Sequence, residues 1–347
     1  MNEEILFYPI NSKNYSVYNV LKKMNFNIKA TSDSYSKYIN MKTSKIVNRD
    51  DSDDLVIDID KYNFTGQELV FVSAFSEPEQ YDYLIKYIIK SEKCNKIIYF
   101  GSSTDLLSEI DKRQFKFDQK DFYENFVFNY SWSNTRFSPS VPVVYIVGIY
   151  ENFEIDEIAI LLKKSLEDSG LKVVVFSNTE DLKFFGSSTY SPKFMSNEYG
   201  ADYQINELNE WFKYIDSIIE PDIIICAIPH GPDFMNNNIF TSKGVYLDII
   251  KNILQPNYLI TVLYDLSLDY ENYNIQKMQL ESFLSMKSNK CYLSNATFAG
   301  IPNNGASSNP IYIKSEYINN IYYKINDENK IEFDKLALEI NQLFSNQ

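Results

Sequence analysis

Along the first half of the chain, short apolar runs alternate with stretches in which apolar residues recur every three or four positions. The helical spacing covers Tyr15–Met24 and returns after Pro78. Runs of strand length occupy residues 4–9, 26–30, 55–59, 69–75 and 96–101. Strands that alternate with helices usually pair in parallel, so this half predicts an α/β domain with a mostly parallel sheet.

The second half repeats this alternation after a polar, proline-containing segment at residues 131–140. The predicted strands occupy residues 143–149, 173–176, 222–228, 258–264 and 290–293. The predicted helices occupy residues 154–168, 207–219, 245–254, 273–286 and 333–344. Because the pattern restarts, we predict two Rossmann-like, doubly wound α/β domains with mostly parallel sheets, formed by residues 1–138 and 139–347.

The length and composition of the chain narrow the class of protein. Its 347 residues exceed one typical core, and no apolar run is long enough to span a membrane. The N-terminus lacks the basic and long apolar regions of a signal peptide, and the three widely spaced cysteines form no disulfide framework. We therefore expect a cytoplasmic protein that does not bind membranes.

The formal net charge of −14 bears on the choice of partner. Affinity for nucleic acid comes mostly from lysine and arginine side chains that neutralise phosphates, so we expect no nucleic-acid partner. A basic peptide suits this charge better, because an acidic surface would steer such a peptide towards the protein at low salt.

The segment 141–156 has the order of a nucleotide-binding loop, with a buried strand, Gly148 and a helix start. A Walker A loop needs glycine, lysine and serine or threonine at fixed offsets after that glycine, so that amides, an ammonium group and a hydroxyl meet phosphate and Mg²⁺. Those offsets hold Phe153, Glu154 and Ile155. We therefore predict a degenerate P-loop-like half that binds neither a nucleotide nor any other cofactor.

Three carboxylates, those of Glu151, Glu154 and Asp156, lie around the start of the helix that follows Gly148. Negative charge complements the positive end of a helix dipole, which is a sufficient structural reason for these residues. The same charge would repel a phosphate group at the helix start, which is a further argument against an ATPase.

The sequence predicts no metal site. Zinc sites need about three or four close cysteine or histidine ligands, whereas this chain has one histidine and three scattered cysteines. The acidic run at 48–54 lacks the glycine and terminal glutamate of a calcium loop, which favours a solvated loop. Cys226 and Cys291 fall in predicted strands and are expected to be buried, whereas Cys94 lies in a polar turn where it could be exposed.

The single histidine, His230, follows the strand at 222–228 and is succeeded by Gly231 and Asp233. Open α/β sheets bind ligands beyond the carboxyl ends of their strands, so this position favours a role in a site. Asp233 could orient the imidazole for general-base catalysis. An ordinary turn explains the segment equally well, because no nucleophile motif accompanies the histidine.

Gly101 and Ser102 follow the last predicted strand of the first half and precede a helix-like stretch. Backbone amides at a helix start can receive an anion, which makes both residues ligand-binding candidates. Helix capping also explains them and is the favoured interpretation, because hydroxyl caps are common for structural reasons. The similar segment 185–190 is predicted to be an irregular loop.

Several segments together resemble the peptide maturation system proteins of clostridial ribosomal-peptide gene clusters. The segments that carry the resemblance are residues 5–9, 141–152, 170–174, 220–231 and 262–265. Members of this family are encoded beside a small precursor peptide, a radical-SAM enzyme and an acyl-carrier-like protein. The resemblance therefore implies an accessory role in modifying the precursor peptide, with these three as partners.

The chain departs from the family pattern at two places. Where the pattern has Gly-x-Gly-Glu-Asn followed by lysine, this chain has Gly148-Ile-Tyr150 and Ile155. Where the pattern has Pro-Gly-Gly, this chain has Pro229-His-Gly231. The Glu151-Asn152 pair and the Pro-x-Gly turn are retained at predicted strand ends, so the resemblance implies that they are site residues.

The leading hypothesis is a protein that binds a precursor peptide or a modifying enzyme in a crevice at the carboxyl ends of its strands. The alternative is a peptide-modifying enzyme, an acyl or amide-forming transferase, in which His230 and Glu151 are catalytic and Asn152 assists. A third hypothesis is a scaffold that assembles other maturation enzymes and binds no ligand. The first two place these ligand-binding residues at one edge of the second sheet: Gly148, Asn152, Gly231, Asp233 and Asp265.

Overall fold

The computed structural model contains two compact units. One comprises residues 1–120 with 312–314, and the other comprises residues 121–311 with 315–347. The structure describes residues 4–11, 14–32, 36–47, 54–66, 68–73, 94, 96–100, 135–148, 154–190, 194, 199–228, 242–264, 270–294, 296–298, 310–312, 323–324 and 330–345. The boundary that we place near residue 138 stays a prediction, because residues 101–134 lie outside these ranges.

The first unit is built on a five-stranded parallel sheet. Its strands are β1 (Ile5–Tyr8), β2 (Ile28–Ser32), β3 (Ile57–Asp58), β4 (Leu69–Val72) and β5 (Lys96–Tyr99). Helix α1 spans Tyr15–Lys23, and 3₁₀ helices span Thr43–Val47 and Ile59–Lys61. The strand order is β3-β2-β1-β4-β5, so the direction of winding reverses between β1 and β4.

Aromatic side chains fill the core of the first unit. Phe7 of β1 stacks on Phe71 of β4, with ring centroids 4.9 Å apart, and Tyr18 of α1 packs edge-on against Phe7. All three side chains are fully buried. Full burial of an aromatic side chain of this size stabilises a fold by about 1.5–3 kcal/mol, so these rings fix α1 against the sheet.

The described residues of the second unit form nine strands. They are β6 (Val143–Gly148), β7 (Val173–Ser177), β8 (Ser188–Thr189), β9 (Ile223–Ile228), β10 (Tyr258–Tyr264), β11 (Lys290–Ser294), β12 (Ala296–Phe298), β13 (Pro310–Tyr312) and β14 (Tyr323–Lys324). Seven of them form a parallel sheet in the order β14-β11-β10-β6-β9-β7-β8, and β12 pairs with β13 separately. Strand β6 therefore lies in the middle of the sheet.

Helices cover both faces of the seven-stranded sheet. They are α2 (Glu154–Asp168), α3 (Ala201–Ile219), α4 (Ser242–Ile253), α5 (Tyr270–Leu284) and α6 (Lys330–Ser345). Alternate residues of β6 face opposite cores: Val144 and Ile146 pack with α2 and α6, whereas Tyr145 and Val147 pack with α3, α4 and α5. The predicted α/β class with parallel, doubly wound sheets is confirmed. Within the described ranges, no helix is long and apolar enough to cross a membrane.

Two elements differ from the sequence-based expectation. Helix α3 begins at Ala201, after an extended Gly200, rather than at residue 207, because its first turns are polar and hide the apolar stripe. The segment 185–190 is not wholly irregular, since it contains β8, which pairs in parallel with the end of β7. A strand of two residues has no apolar pattern of its own, so only its pairing defines it.

Residues 135–137 of the polar segment pack against two helices of the second unit. The backbone amide of Phe137 donates a 2.7 Å hydrogen bond to Asn209 Oδ1, and Asn209 Nδ2 donates to the carbonyl oxygen of Thr135 at 3.3 Å. Arg136 Nε donates to the carbonyl oxygen of Ile253 at 3.0 Å. Residues 135–137 are therefore fixed between α3 and the end of α4.

Candidate functional site

Three strands of the second sheet end together at one edge. Pairing places Gly148, the last residue of β6, beside Val262 of β10, and it places Val147 beside Ile228, the last residue of β9. All of these strands are parallel, so the segments that follow β6, β9 and β10 leave from the same carboxyl edge.

The connections diverge at the centre of this edge. After β6 the chain passes to α2 on one face of the sheet, and after β10 it passes to α5 on the other face. Adjacent strands whose connections leave in opposite directions form a crevice, and open α/β sheets bind their ligands there. The topology therefore places the candidate site at the carboxyl end of β6, beside the ends of β9 and β10, since α4 after β9 lies on the same face as α5.

Gly148 is the one predicted site residue that the structure describes, and it is buried at the end of β6. The other predicted site residues lie outside the described ranges: Gly101, Ser102, Glu151, Asn152, His230, Gly231, Asp233 and Asp265. In sequence, the last six of these follow within a few positions of the ends of β6, β9 or β10. Their convergence stays a prediction.

The first turn of α2 carries three buried carboxylates, of which sequence reasoning considered only two. Glu154, Asp156 and Glu157 are each 1% exposed, and Ile155 between them is fully buried. The helix dipole explains why acidic side chains favour this turn, but not why they are removed from water. Three carboxylates are therefore buried at the start of the helix that follows the central strand.

Asp156 has the best-defined surroundings of the three. Ser177, the last residue of β7, donates a hydrogen bond from Oγ to Asp156 Oδ1 at 2.7 Å, and Thr179 donates from Oγ1 to Asp156 Oδ2 at 2.6 Å. The Thr179 amide in turn donates to Ser177 Oγ at 3.1 Å. Both carboxylate oxygens are therefore held, and the start of α2 is joined to the end of β7.

Burial raises the pKa of Asp156 from 3.8 to about 6, although the hydrogen bonds from Thr179 and Ser177 oppose the shift. A carboxyl group with this pKa can exchange a proton near neutral pH, which is a property of general acids and bases. The sequence alone could not show this. Hydroxyl residues such as Ser177 and Thr179 are common at strand ends, so their positions in the sequence do not indicate a partner. Only the folded structure shows that both bond to Asp156.

In the first unit, asparagine side chains occupy two backbone amides after β1. In the segment between β1 and α1, the Asn11 amide donates to Asn14 Oδ1 at 2.9 Å, and the Asn14 amide donates to Asn11 Oδ1 at 3.3 Å. Asn14 Nδ2 also donates to the carbonyl oxygen of Pro9 at 2.7 Å. These two backbone amides are occupied, so they are not available to hold a phosphate group.

The cysteine thiols are not expected to act as nucleophiles at neutral pH. Cys94, Cys226 and Cys291 are all buried and free, so the expectation that Cys94 could be exposed is wrong. Burial raises the pKa of Cys94 and of Cys226 to about 12, which keeps both thiols protonated. Among the described residues, no group of three histidine, cysteine or acidic side chains could hold a metal ion.

No family model and no curated protein matches the chain. Among solved structures, a DUF1611 family protein from Anabaena variabilis is 9% identical, with a TM-score of 0.45, over 84% of this chain and 88% of that protein. Chloroplast FtsY from Physcomitrella patens is 14% identical, with a TM-score of 0.31, over 67% and 78% of the two chains. The cell division protein FtsY from Thermotoga maritima is 12% identical, with a TM-score of 0.26, over 63% and 67%.

Similarities at this level carry no argument about activity. The fold assignment rests on the pairing of the strands and on the helices that cover them. The resemblance to peptide maturation proteins remains a hypothesis.

Proposed function

We propose that this protein is an accessory component of ribosomal-peptide maturation that binds a precursor peptide in the crevice at the carboxyl end of β6. The observation that carries the proposal is the buried acidic first turn of α2, which directly follows the central strand of the sheet. A phosphate-binding loop would present amides and a lysine at this place, and this chain presents carboxylates instead.

The acidic turn favours a cationic ligand group. Charges in a low-dielectric interior act over a longer range than exposed charges, so these carboxylates influence the crevice without touching the ligand. The net charge of −14 acts in the same direction across the whole surface. A precursor peptide with lysine or arginine residues has the complementary charge, and the resemblance to peptide maturation proteins supports a peptide as the ligand.

The test is binding of a fluorescently labelled precursor peptide, encoded beside this protein, at low and high salt. We expect saturable binding whose association rate falls as salt shortens the Debye length to less than about 8 Å. A second peptide, with glutamine at every lysine and arginine position, should bind at least about tenfold more weakly, a difference of about 1.4 kcal/mol.

Two variants of α2 separate local charge from overall charge. Asp156→Asn removes a buried charge at the start of the helix, and Asp168→Asn removes an exposed one at its end. We expect only the first to weaken peptide binding. Equal effects would mean that the acidic balance acts over the whole surface, and no complex with the peptide, the radical-SAM enzyme or the acyl-carrier-like protein would reject the proposal.

The proton affinity of Asp156 favours a second candidate function. The function is that of an acyl or amide-forming transferase that modifies the bound peptide with Glu151, Asn152 and His230. Asp156, whose two oxygens are bonded to Ser177 and Thr179, would act through other groups and not on the peptide itself. Intact-mass measurement of the precursor peptide, incubated with this protein and the loaded acyl-carrier-like protein, tests this function. A mass increase that His230→Ala abolishes would show that the protein is a transferase. An unchanged mass would reject the transferase function and leave peptide binding as the proposed function.

A further inference from the structure

Helix α5 buries a polar side chain that the fold does not satisfy. Gln276 is 5% exposed, and neither its Nε2 nor its Oε1 has a hydrogen-bond partner. It lies on the helical face that also carries Leu280 and Leu284, which belong to the core beneath α5. The carboxamide of Gln276 is therefore placed on the face of α5 that turns towards the sheet.

This arrangement is unfavourable for the protein alone. An amide that loses water without gaining a hydrogen bond costs about 1–3 kcal/mol in proteins, and nearly all buried polar groups avoid this cost. A leucine at position 276 would continue the apolar stripe without it. The fold therefore gives no reason for glutamine, whereas a ligand that bonds to the amide does.

Two polar contacts near α5 are formed within the fold, whereas Ser288 Oγ, which follows the helix, also has no hydrogen-bond partner. Thr261 of β10 donates a hydrogen bond from Oγ1 to Cys291 Sγ of β11 at 3.0 Å, and the Ser288 amide donates to Glu281 Oε1 at 2.7 Å. Among the described side chains of α5, the unpaired buried donor and acceptor are those of Gln276, which lies in the second turn of the helix. Gln276 lies about 9 Å along the helix from Tyr270, where α5 begins.

We infer that the Gln276 carboxamide recognises an amide group of the bound peptide. This inference rests on the proposed function. A primary amide offers one acceptor and a donor, and a peptide bond offers the matching donor and acceptor, so the two groups form a paired set of hydrogen bonds. Gln276 then supplies recognition of the peptide backbone, which the acidic turn of α2 does not supply.

The experiment compares Gln276→Leu with Gln279→Leu, which makes the same change on the exposed side of α5. We expect Gln276→Leu to weaken precursor-peptide binding at least about tenfold, which corresponds to about 1.4 kcal/mol. The unfolding midpoint of the free protein should stay the same or rise, because an unpaired buried amide has been removed. Gln279→Leu should leave peptide affinity unchanged.

The inference is overturned if Gln276→Leu binds peptide as tightly as the wild type. It is also overturned if this variant lowers the unfolding midpoint, since the amide would then already be bonded within the fold or to an ordered water molecule.

A second measurement is independent of the precursor peptide. The side-chain amide resonances of Gln276 and Gln279 are followed by NMR during titration with N-methylacetamide, a minimal peptide bond. A saturable shift confined to Gln276 supports the inference even if the precursor peptide does not bind, in which case only the proposed function fails. Linear shifts at both residues would reject the Gln276 site.

Discussion

The Thr179 hydroxyl donates a 2.6 Å hydrogen bond to the Asp156 carboxylate, and the two residues are 23 positions apart in the chain. This bond joins the start of α2 to the segment after β7, and the neighbouring bond from Ser177 repeats the connection. Since Asp156 is fully buried, the protonation state of one carboxyl group is linked to the contact between the start of α2 and the end of β7.

Asp156 should make the stability of the protein depend on pH. Its folded pKa of about 6 lies above the ordinary value of 3.8, so the native state holds the proton to higher pH than the unfolded chain does. The contribution of this group to the free energy of unfolding is therefore largest below about pH 4, falls between about pH 4 and 6, and is constant above that. The shift of about two units corresponds to a loss of about 3 kcal/mol.

Urea unfolding of the wild type and Asp156→Asn between pH 4 and 7.5 measures this contribution. We expect the difference in unfolding free energy between variant and wild type to change by about 3 kcal/mol in favour of the variant as pH rises. Asp168→Asn, at the exposed end of the same helix, should show a nearly constant difference. A constant difference for Asp156→Asn as well would show that this carboxyl group titrates normally.

Nucleotides should not bind to the second unit. Glu154 and Ile155, which occupy the Walker A offsets for lysine and for serine or threonine, are both buried in the first turn of α2. We expect no heat in calorimetry with ATP or GTP and Mg²⁺ at millimolar concentration. Saturable binding with a Kd below about 100 μM, roughly −5.5 kcal/mol, would contradict the degenerate-loop interpretation.

The sequence was most informative where one residue pattern decides the structure. Helix α2 spans Glu154–Asp168 and strand β10 spans Tyr258–Tyr264, as their apolar patterns predict. Both elements are buried along an uninterrupted stripe or run, so local periodicity is sufficient. The start of α3 was missed because tertiary packing extends that helix through polar turns beyond its strongest stripe.

The candidate site was less predictable, because it depends on contacts between distant segments. The sequence identified Asp156 as a first-turn carboxylate, but its burial and its two hydroxyl partners arise from the placement of β7 near β6 in the strand order. Gln276 shows the same limit. Its spacing to Leu280 and Leu284 places it on the apolar face of α5, but only the structure shows that its amide is buried without a hydrogen-bond partner.

Asn209 should be important for holding the segment 135–137 on the second unit. Its side chain is buried and bonds to both Phe137 and Thr135. Asn209→Ala leaves the Phe137 amide without its acceptor, so we expect a loss of about 1–3 kcal/mol in unfolding free energy and faster proteolysis near residue 135. Asn206→Ala, one turn away on a less buried face, should change the unfolding free energy by no more than about 0.5 kcal/mol and should leave the rate of proteolysis unchanged.

The residue that ends α3 offers a route to higher stability. Glu220 has φ 49° and ψ 60°, a left-handed conformation that glycine adopts without strain. We expect Glu220→Gly to raise the free energy of unfolding by about 0.5–1 kcal/mol. Ser217→Gly, inside the same helix, should lower it by about 0.5 kcal/mol. A loss of stability in both variants would show that the Glu220 side chain makes a contact that outweighs its backbone strain.

The three buried thiols can report when the structure around each of them opens. A thiol-reactive dye reaches a sulfur only when the surrounding structure separates, and Cys94 lies in the first unit while Cys226 and Cys291 lie in the second. Labelling rates followed by peptide mass spectrometry would therefore time the opening of each unit separately, without any engineered reporter. Protection of Cys291 alone on addition of peptide would locate the ligand near the α5 side of the second sheet.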